Sequence, residues 1–571
     1  MYTLGFASTV SALVAHLVAM PEFARVSALS PDDGFDEPFL REIIGAAGAL
    51  AEGEIAPFGR RADGEGCALV DGRVRLAAGH HEAWAAFVAG GWTGTEGAIE
   101  FGGMGLPVAV HSACEELFNR ASPGFGMAPT PMRCAARVIE KYGSAAMREE
   151  WLPRLIDGSW GATICISEAD AGSDVPRLRT SAVPLDDGAW AVTGEKMWIS
   201  FGDHDLAERI GHMVLARSTD PVTGAGRLSL FLVPSVIDGV RNAVVVRRIE
   251  EKLGLHCSPT CALGFEGARG WLVGVEGRGL PQLFAMIIGM RLSVGSQGAG
   301  IAGAAASLAW TYASERRQGG RPDGPPVPID QHGDVRRMLL AAAARAEVTR
   351  GLVLTASAVS DLQTREPDAA AQAEAGHLLA WLLPITKNFC AEAAVTCANE
   401  AIQVLGGAGY TREWPAERYL RDARVLPIYE GTSGMQALDL VMRRVLGDEG
   451  RAMQAFLDRA RADLNAASDH WAAGQFAALL ALLEEARGQL AKDTAPIVAY
   501  PFLQLASLVT TGWIALRLSG QTGSPIADHL AGLGRHWLRL ALPLARGECE
   551  QVAMGSDLIA DFPSIAMAEF G

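Results

Sequence analysis

Positive charge is in short supply in this chain. Its 571 residues carry 49 Lys and Arg against 65 Asp and Glu, a formal net charge of -16. Nucleic acids and anionic membrane surfaces are held by basic patches, so this balance argues against both as partners. The tail from 447 to 571 intersperses its acidic residues with Arg and has no basic run. Cysteine is sparse and odd in number, nine in all. That argues against a disulfide framework and for a reducing, cytoplasmic setting, with most of the thiols acting as small buried apolar groups. Cys257 and Cys261 lie close in sequence, but no second pair or His cluster completes a zinc site, so no metal is expected. A glycine fingerprint following a strand is missing, and so is βα alternation, which counts against a nicotinamide-binding fold. No uninterrupted run of about 20 apolar residues is present, and no membrane span is expected. The apolar start, MYTLGFASTVSALVAHLVAM, lacks a basic leader region and contains His16. Leu13, Val14, Leu17 and Val18 recur there at helical spacing and predict a docking helix.

Apolar residues make up 49% and charged residues 20%, an ordinary globular balance. The length exceeds what one core usually serves, so several domains are expected. The texture divides the chain into four. Residues 1–160 read mostly as helices, with 41–58 and 81–92 showing apolar spacing of three to four. Residues 161–280 hold short β-branched runs at 189–200, 212–218, 227–235 and 242–249, with Asp187-Gly188 as a hairpin turn. Helical texture returns over 281–446, notably at 334–362 and 391–405, broken by the proline-rich 321–328. The tail 447–571 is a further helical block set off by Gly447 and Gly450. The expected fold is therefore mainly α with a central β domain.

Four phrases carry chemistry: 165-CISEADAGSD-174, 195-EKMWIS-200, 402-IQVLGGAGYTREWPAERYLRDAR-424 and 429-YEGTSGMQ-436. Taken singly they are bland. A loop carboxylate such as Glu430 is usually solvated, a strand Trp such as Trp198 is usually core, and a lone Arg such as Arg316 is usually a surface charge. Together, in this order and at this spacing over roughly residues 40–445, they resemble the acyl-CoA dehydrogenase family. The extra tail, Gly434 and the phrase 199-ISFGDHDLAERIGHMVLAR-217 are similar to one subgroup, the 3-methylthiopropionyl-CoA dehydrogenases. Shorter members of the family have Gln where Gly434 stands.

The resemblance implies an N-terminal helical domain, a β-barrel-like middle domain, a C-terminal four-helix bundle and an added helical domain. It implies bound FAD, an acyl-CoA substrate and Glu430 as the base that removes the proton next to the thioester carbonyl. That carbon acid is weak. Exclusion of water by bound substrate raises the carboxylate's basicity, and donors on the carbonyl oxygen stabilise the developing enolate. By resemblance the donors are the Glu430 N–H and a ribityl hydroxyl of FAD, with Gly431 allowing close approach of substrate. Ile166 and Ser167 are implied to offer backbone N–H groups to the flavin edge, and Ser173 to touch FAD pyrophosphate and substrate. Ala169 departs from a common proline. Trp198 is implied to cover the flavin face away from substrate and Ser200 to bond flavin N5. Arg316 and Gln318, the latter usually Thr in shorter members, are implied to reach the FAD of a neighbouring subunit. A guanidinium suits phosphate because it is always charged and binds in a fork. Gln403, Gly406 and Gly407 match the loop at the adenosine end, Thr432 a further FAD contact, and Arg291 a position near the CoA chain.

These matches imply a homo-oligomer, most simply a dimer, and an electron-transfer flavoprotein as acceptor. An acyl-CoA oxidase using oxygen and a non-catalytic flavoprotein on the same scaffold are the competing expectations.

Overall fold

The computed structural model describes residues 5–30, 34–219, 226–562 and 564–566. By contact the chain forms two compact units, one of Met1–Ala46, Val108–Glu116 and Val294–Gly571, the other of Ala47–Pro107 and Leu117–Ser293.

The second unit contains the sheet. In chain order the strands are β1 (Ala68–Val70), β2 (Arg73–Arg75), β3 (Trp160–Cys165), β4 (Ser181–Pro184), β5 (Trp190–Ser200), β6 (Arg209–Thr219), β7 (Gly226–Pro234), β8 (Val236–Ile237), β9 (Val240–Arg241), β10 (Val244–Ile249) and β11 (Thr260–Val273). Seven form one sheet in the order β10-β11-β5-β4-β6-β3, with β7 pairing β11 and β6. The β4–β5 hairpin turns at Asp187-Gly188, where Gly188 takes φ 83, as the dipeptide predicts. The little β1–β2 hairpin was not expected inside a helical stretch; Asp71 and Gly72, both at positive φ, make its turn. In the same unit Phe58, Phe125, Phe87 and Phe118 meet edge to face in turn, and the buried His80 lies against the first two. The helix expected at 41–58 runs over Glu37–Leu50 and Ala56–Glu65, joined by a π-helical turn at Ala51–Ile55.

The first unit is a bundle built on Val294–Glu315 of the helix Gly279–Glu315, on Gly333–Arg365 and on Ala369–Leu405. Gly298 lets two of these touch, since a Cβ there would stand 2.3 Å from the Cys390 carbonyl oxygen. The tail adds Arg451–Ala466, His470–Gln489, Ala495–Ser519 and Pro525–Met554. Asp469 and Ser524 cap two of them through the Ala472 and Ala527 N–H groups. The tail is locked to the bundle by aromatics: Trp381 stacks on Phe456 at 5.2 Å and donates to Thr510, while Trp537 packs on Phe389. The N-terminal helix, Phe6–Ala19, docks in the same unit through His16, which pairs with Glu347 of Gly333–Arg365 at 3.1 Å.

One expectation is corrected. Among the described residues two helical stretches, within Ala369–Tyr410 and Ala495–Ser519, are long and apolar enough to cross a membrane by length and composition. Counting unbroken apolar runs overlooks them because isolated polar residues interrupt their sequences. In the protein 83% of each apolar window is buried. Eight of the nine cysteines are buried and Cys67 is half-buried. Burial pushes the Cys114 and Cys397 thiols up to about 12, which leaves them protonated near neutral pH.

Candidate active site

In the sheet unit, β3 ends at Cys165 and the chain turns at once through Ile166 and Ser167. A buried lysine holds this turn. Lys196 of β5 donates to the Ile166 carbonyl at 2.9 Å and to Glu168 at 2.8 Å. Glu168 also accepts the N–H groups of Arg179 and Thr180 at 2.7 and 3.0 Å. Burial disfavours the Glu168 charge, but Lys196 and those two donors outweigh it and lower the carboxyl's pKa. The Ser167 carbonyl accepts from Met197 at 3.0 Å, which ties the turn to β5. Ile166 and Ser167 are half-buried and Ser173 is exposed.

β5 does not run straight past this turn. Ile199 pairs with Cys261 and Lys196 with Leu263, so Met197 and Trp198 together oppose Ala262. This bulge re-aims a side chain out of the ladder. Trp198 takes φ 65, which is rare for a bulky residue, and the residue is left 58% exposed. Ser200 lies half-buried two residues on, paired with Thr260. Arg291 is half-buried on the helix Gly279–Glu315.

In the bundle unit, Glu430 sits in a turn between two helices, half-buried, at φ 55, and Gly431 follows at φ 94. Thr432 caps the helix Ser433–Leu438 by accepting the Met435 N–H at 3.3 Å. The Ser433 N–H donates to the Pro427 carbonyl and its hydroxyl to Glu392 at 2.9 Å. Beneath the turn, Lys387 donates to the Gly431 carbonyl at 2.7 Å, and Gln436 donates to the Glu430 and Gly431 carbonyls at 3.2 Å each. The Tyr429 hydroxyl donates to Gln297. Burial pushes that phenol well above its ordinary range, and the charges of Glu430 and Glu115 push the same way. A cavity of about 350 Å³ opens beside the turn, lined by Glu392, Val395, Arg424, Pro427, Ile428, Thr432, Ser433 and Gly434.

The remaining predicted contacts lie on two exposed loops of this unit. Arg316 and Gln318 are exposed, on backbone fixed by Ile329 N–H to Arg316 carbonyl at 2.8 Å and by Gln318 N–H to Val327 carbonyl at 2.9 Å. Gln403 is exposed at the end of Ala369–Leu405. Gly406 at φ 61 turns the chain, and neither Gly406 nor Gly407 has a neighbour within 4 Å of where a Cβ would stand. Tyr312 meets Trp414 edge to face at 5.0 Å, which links the helix that leads to Arg316 with the segment after Gly407.

The structure thus gathers Glu430, Gly431 and Thr432 in one turn, of which Thr432 lines the cavity, and Ile166, Ser167, Trp198 and Ser200 along the β3 turn and the adjoining β5. Sequence reading missed the residues that hold these turns. Lys196, Glu168 and Gln436 lie inside the quoted phrases but have ordinary surface chemistry. Lys387 had a signal that was not used, a lone cation inside the apolar run 381-WLLPITKNFC-390.

A helical segment, a β domain with a bulged strand presenting Trp198, and a bundle carrying a carboxylate on a strained turn form the arrangement that the resemblance to flavoenzymes acting on acyl thioesters implies. Family descriptions agree. The acyl-CoA dehydrogenase N-terminal domain matches residues 40–159, the middle domain 163–268 and the C-terminal domain 277–446. The chain belongs to the acyl-CoA dehydrogenase family, whose members are FAD-dependent oxidoreductases. Among its relatives, a 3-methylmercaptopropionyl-CoA dehydrogenase from Ruegeria pomeroyi is 38% identical over 516 residues, 86% of this chain and 87% of that one. A broad-specificity linear acyl-CoA dehydrogenase, FadE5 of Mycobacterium tuberculosis, is 33% identical over 445 residues, 73% and 72% of the two chains. Among solved structures, Caenorhabditis elegans ACDH-11 in complex with C11-CoA shares the fold with a TM-score of 0.79 at 20% identity, covering 98% of this chain and 96% of that one.

Proposed function

We propose that the protein oxidises an acyl-CoA thioester to the trans-2-enoyl-CoA, with Glu430 as base. The observation that carries this is the turn at 430–432. A carboxylate and its own N–H occupy one strained, anchored loop beside a cavity, as a step that needs a base and an oxyanion donor together requires. Bound FAD supplies the hydride acceptor at flavin N5.

The chain's own groups fit that cofactor. In the sheet unit the turn at Ile166 and Ser167, the outward Trp198 and the Ser200 hydroxyl offer backbone donors, an aromatic surface and a short donor. In the bundle unit the exposed Arg316 and Gln318, the open Gly406 and Gly407 and the hydroxyl of Thr432 suit a dinucleotide. Ser173, Gln403, Gly431 and Arg291 complete the proposed contacts. Arg316 would serve a second subunit's FAD, which supports a homo-oligomer, most simply a dimer. An electron-transfer flavoprotein is the proposed acceptor and the cytoplasm the proposed location.

For the acyl group, 3-methylthiopropionyl is the leading candidate. The support is the 38% identity to the Ruegeria enzyme across 86% of this chain. The test is an anaerobic panel of acyl-CoAs against the yellow protein. Flavin bleaching fastest with the methylthio substrate is expected. Equal rates with butyryl-CoA would make the enzyme a general short-chain dehydrogenase, and no bleaching with any thioester would end the proposal.

A further inference from the structure

Lysine is scarce here. Of the 49 basic residues five are lysines, at 141, 196, 252, 387 and 492. A chain that meets nearly every need for a cation with arginine keeps lysine inside the bundle where a compact, rotatable ammonium is required. Lys387 is fully buried in the middle of Ala369–Leu405. An ammonium gains nothing there unless its N–H groups are used.

They are used on the backbone of the turn. Lys387 Nζ lies 2.7 Å from the Gly431 carbonyl oxygen. Gln436, also fully buried, gives its Nε2 to the carbonyls of Glu430 and Gly431. Two consecutive carbonyls are therefore held by fixed donors, and these belong to the peptide planes on either side of Gly431. Holding both planes fixes the torsions of Gly431, at φ 94, and pins the peptide plane that follows Glu430. Glu430 itself stands at φ 55, a conformation that a non-glycine residue keeps only when its surroundings impose it, and the pinned plane is one of those surroundings.

We propose that Lys387, acting with Gln436, is a positioning residue: it holds the 430–431 turn so that the Glu430 carboxylate and N–H keep their direction toward the thioester. The proposal rests on the reading of Glu430 as base. Lys387 exchanges no proton with substrate. Its task is geometric, and an error of about 1 Å in such a group costs on the order of 10²-fold in rate.

The test compares Lys387→Met, Lys387→Gln and Gln436→Leu in the FAD-loaded enzyme, with the acyl-CoA ranked first in the panel. FAD content, the Kd for acyl-CoA from the flavin spectrum, KM and kcat are measured. Lys387→Met should keep FAD and hold Kd within about threefold, while kcat falls about 10²-fold. Lys387→Gln, which restores a donor, should recover part of the loss, and Gln436→Leu should show the same selective fall in kcat. Combined with Glu430→Gln, Lys387→Met should add nothing, since two groups acting as a unit are not additive. Native kcat in Lys387→Met, or a loss that tracks FAD or acyl-CoA binding, overturns the proposal. Should Lys387→Met not fold, native kcat in Gln436→Leu overturns it. Glu430→Gln at native rate removes the base and this inference together. An inactive Glu430→Gln beside a native Lys387→Met removes only the lysine's role.

Discussion

Glu430 asks two things of one residue. Its side chain is proposed to accept a proton, and its backbone N–H is proposed to steady the carbonyl oxygen from which that proton becomes acidic. The two functions separate in Glu430→Gln. The amide is nearly isosteric, the N–H remains, and the contacts of Lys387 and Gln436 are to main-chain carbonyls that the substitution does not touch. We expect Glu430→Gln to keep FAD and to perturb the flavin spectrum on binding acyl-CoA, while turnover drops by about 10²–10⁴-fold or more. Stopped-flow flavin reduction measures this, and a near-native rate would leave Glu430 a loop residue. Tyr429, with its phenol pushed far above its ordinary range, cannot take over as base.

Among the elements, the strands and helices that carry these turns are held where close contact leaves no slack. Gly298 is the sharpest case, because a methyl there would meet the Cys390 carbonyl oxygen at 2.3 Å and force two bundle helices apart. Gly298→Ala should cost about 1–3 kcal/mol, as overpacking does. Gly434, whose nearest neighbour to a Cβ is Thr432 at 3.9 Å, is the control, and Gly434→Ala should stay within about 0.5 kcal/mol. Urea midpoints of the two variants give the comparison, and equal midpoints would mean that the helices yield at no cost. The bulge in β5 shows the same economy: one extra residue, Trp198, faces outward while Ile199 and Phe201 stay buried.

For the whole molecule, the sheet unit stores a pH dependence. Burial lowers the pKa of His80 to about 3, and of His204 and His212 to about 4, from an ordinary 6.5. Neither ring nitrogen of His80 has a hydrogen-bond partner among the described residues, and the ring lies against Phe58 at 4.7 Å. An unfolded chain takes up these protons below pH 6.5 and the folded chain does not. Their contribution is therefore intact above pH 6.5 and is lost as pH falls toward 4, each imidazole costing about 1.4 kcal/mol per pH unit in that window. Denaturant midpoints should drop between pH 7 and pH 5, and His80→Phe should flatten the slope by about one proton. An equal slope in the variant would show that His80 is protonated in the folded protein.

Much was legible in the sequence. Short β-branched runs and Asp187-Gly188 marked the strands and their hairpin, three-to-four spacing marked the helices, and the phrases around Glu430 and Trp198 carried the resemblance. These are local signals, set by backbone preference and by which side chains want water. Tertiary structure decided what local signals cannot encode. The apolar helix at 495–519 meets the membrane test by composition, yet its apolar window is buried in the bundle unit, because neighbouring helices supply the apolar surface that lipid otherwise would. The left-handed backbone of Glu430 is not written in the phrase YEGTSGMQ alone. Lys387 stands 44 residues before Gly431 along the chain, and only folding brings its ammonium to the carbonyl that fixes the turn.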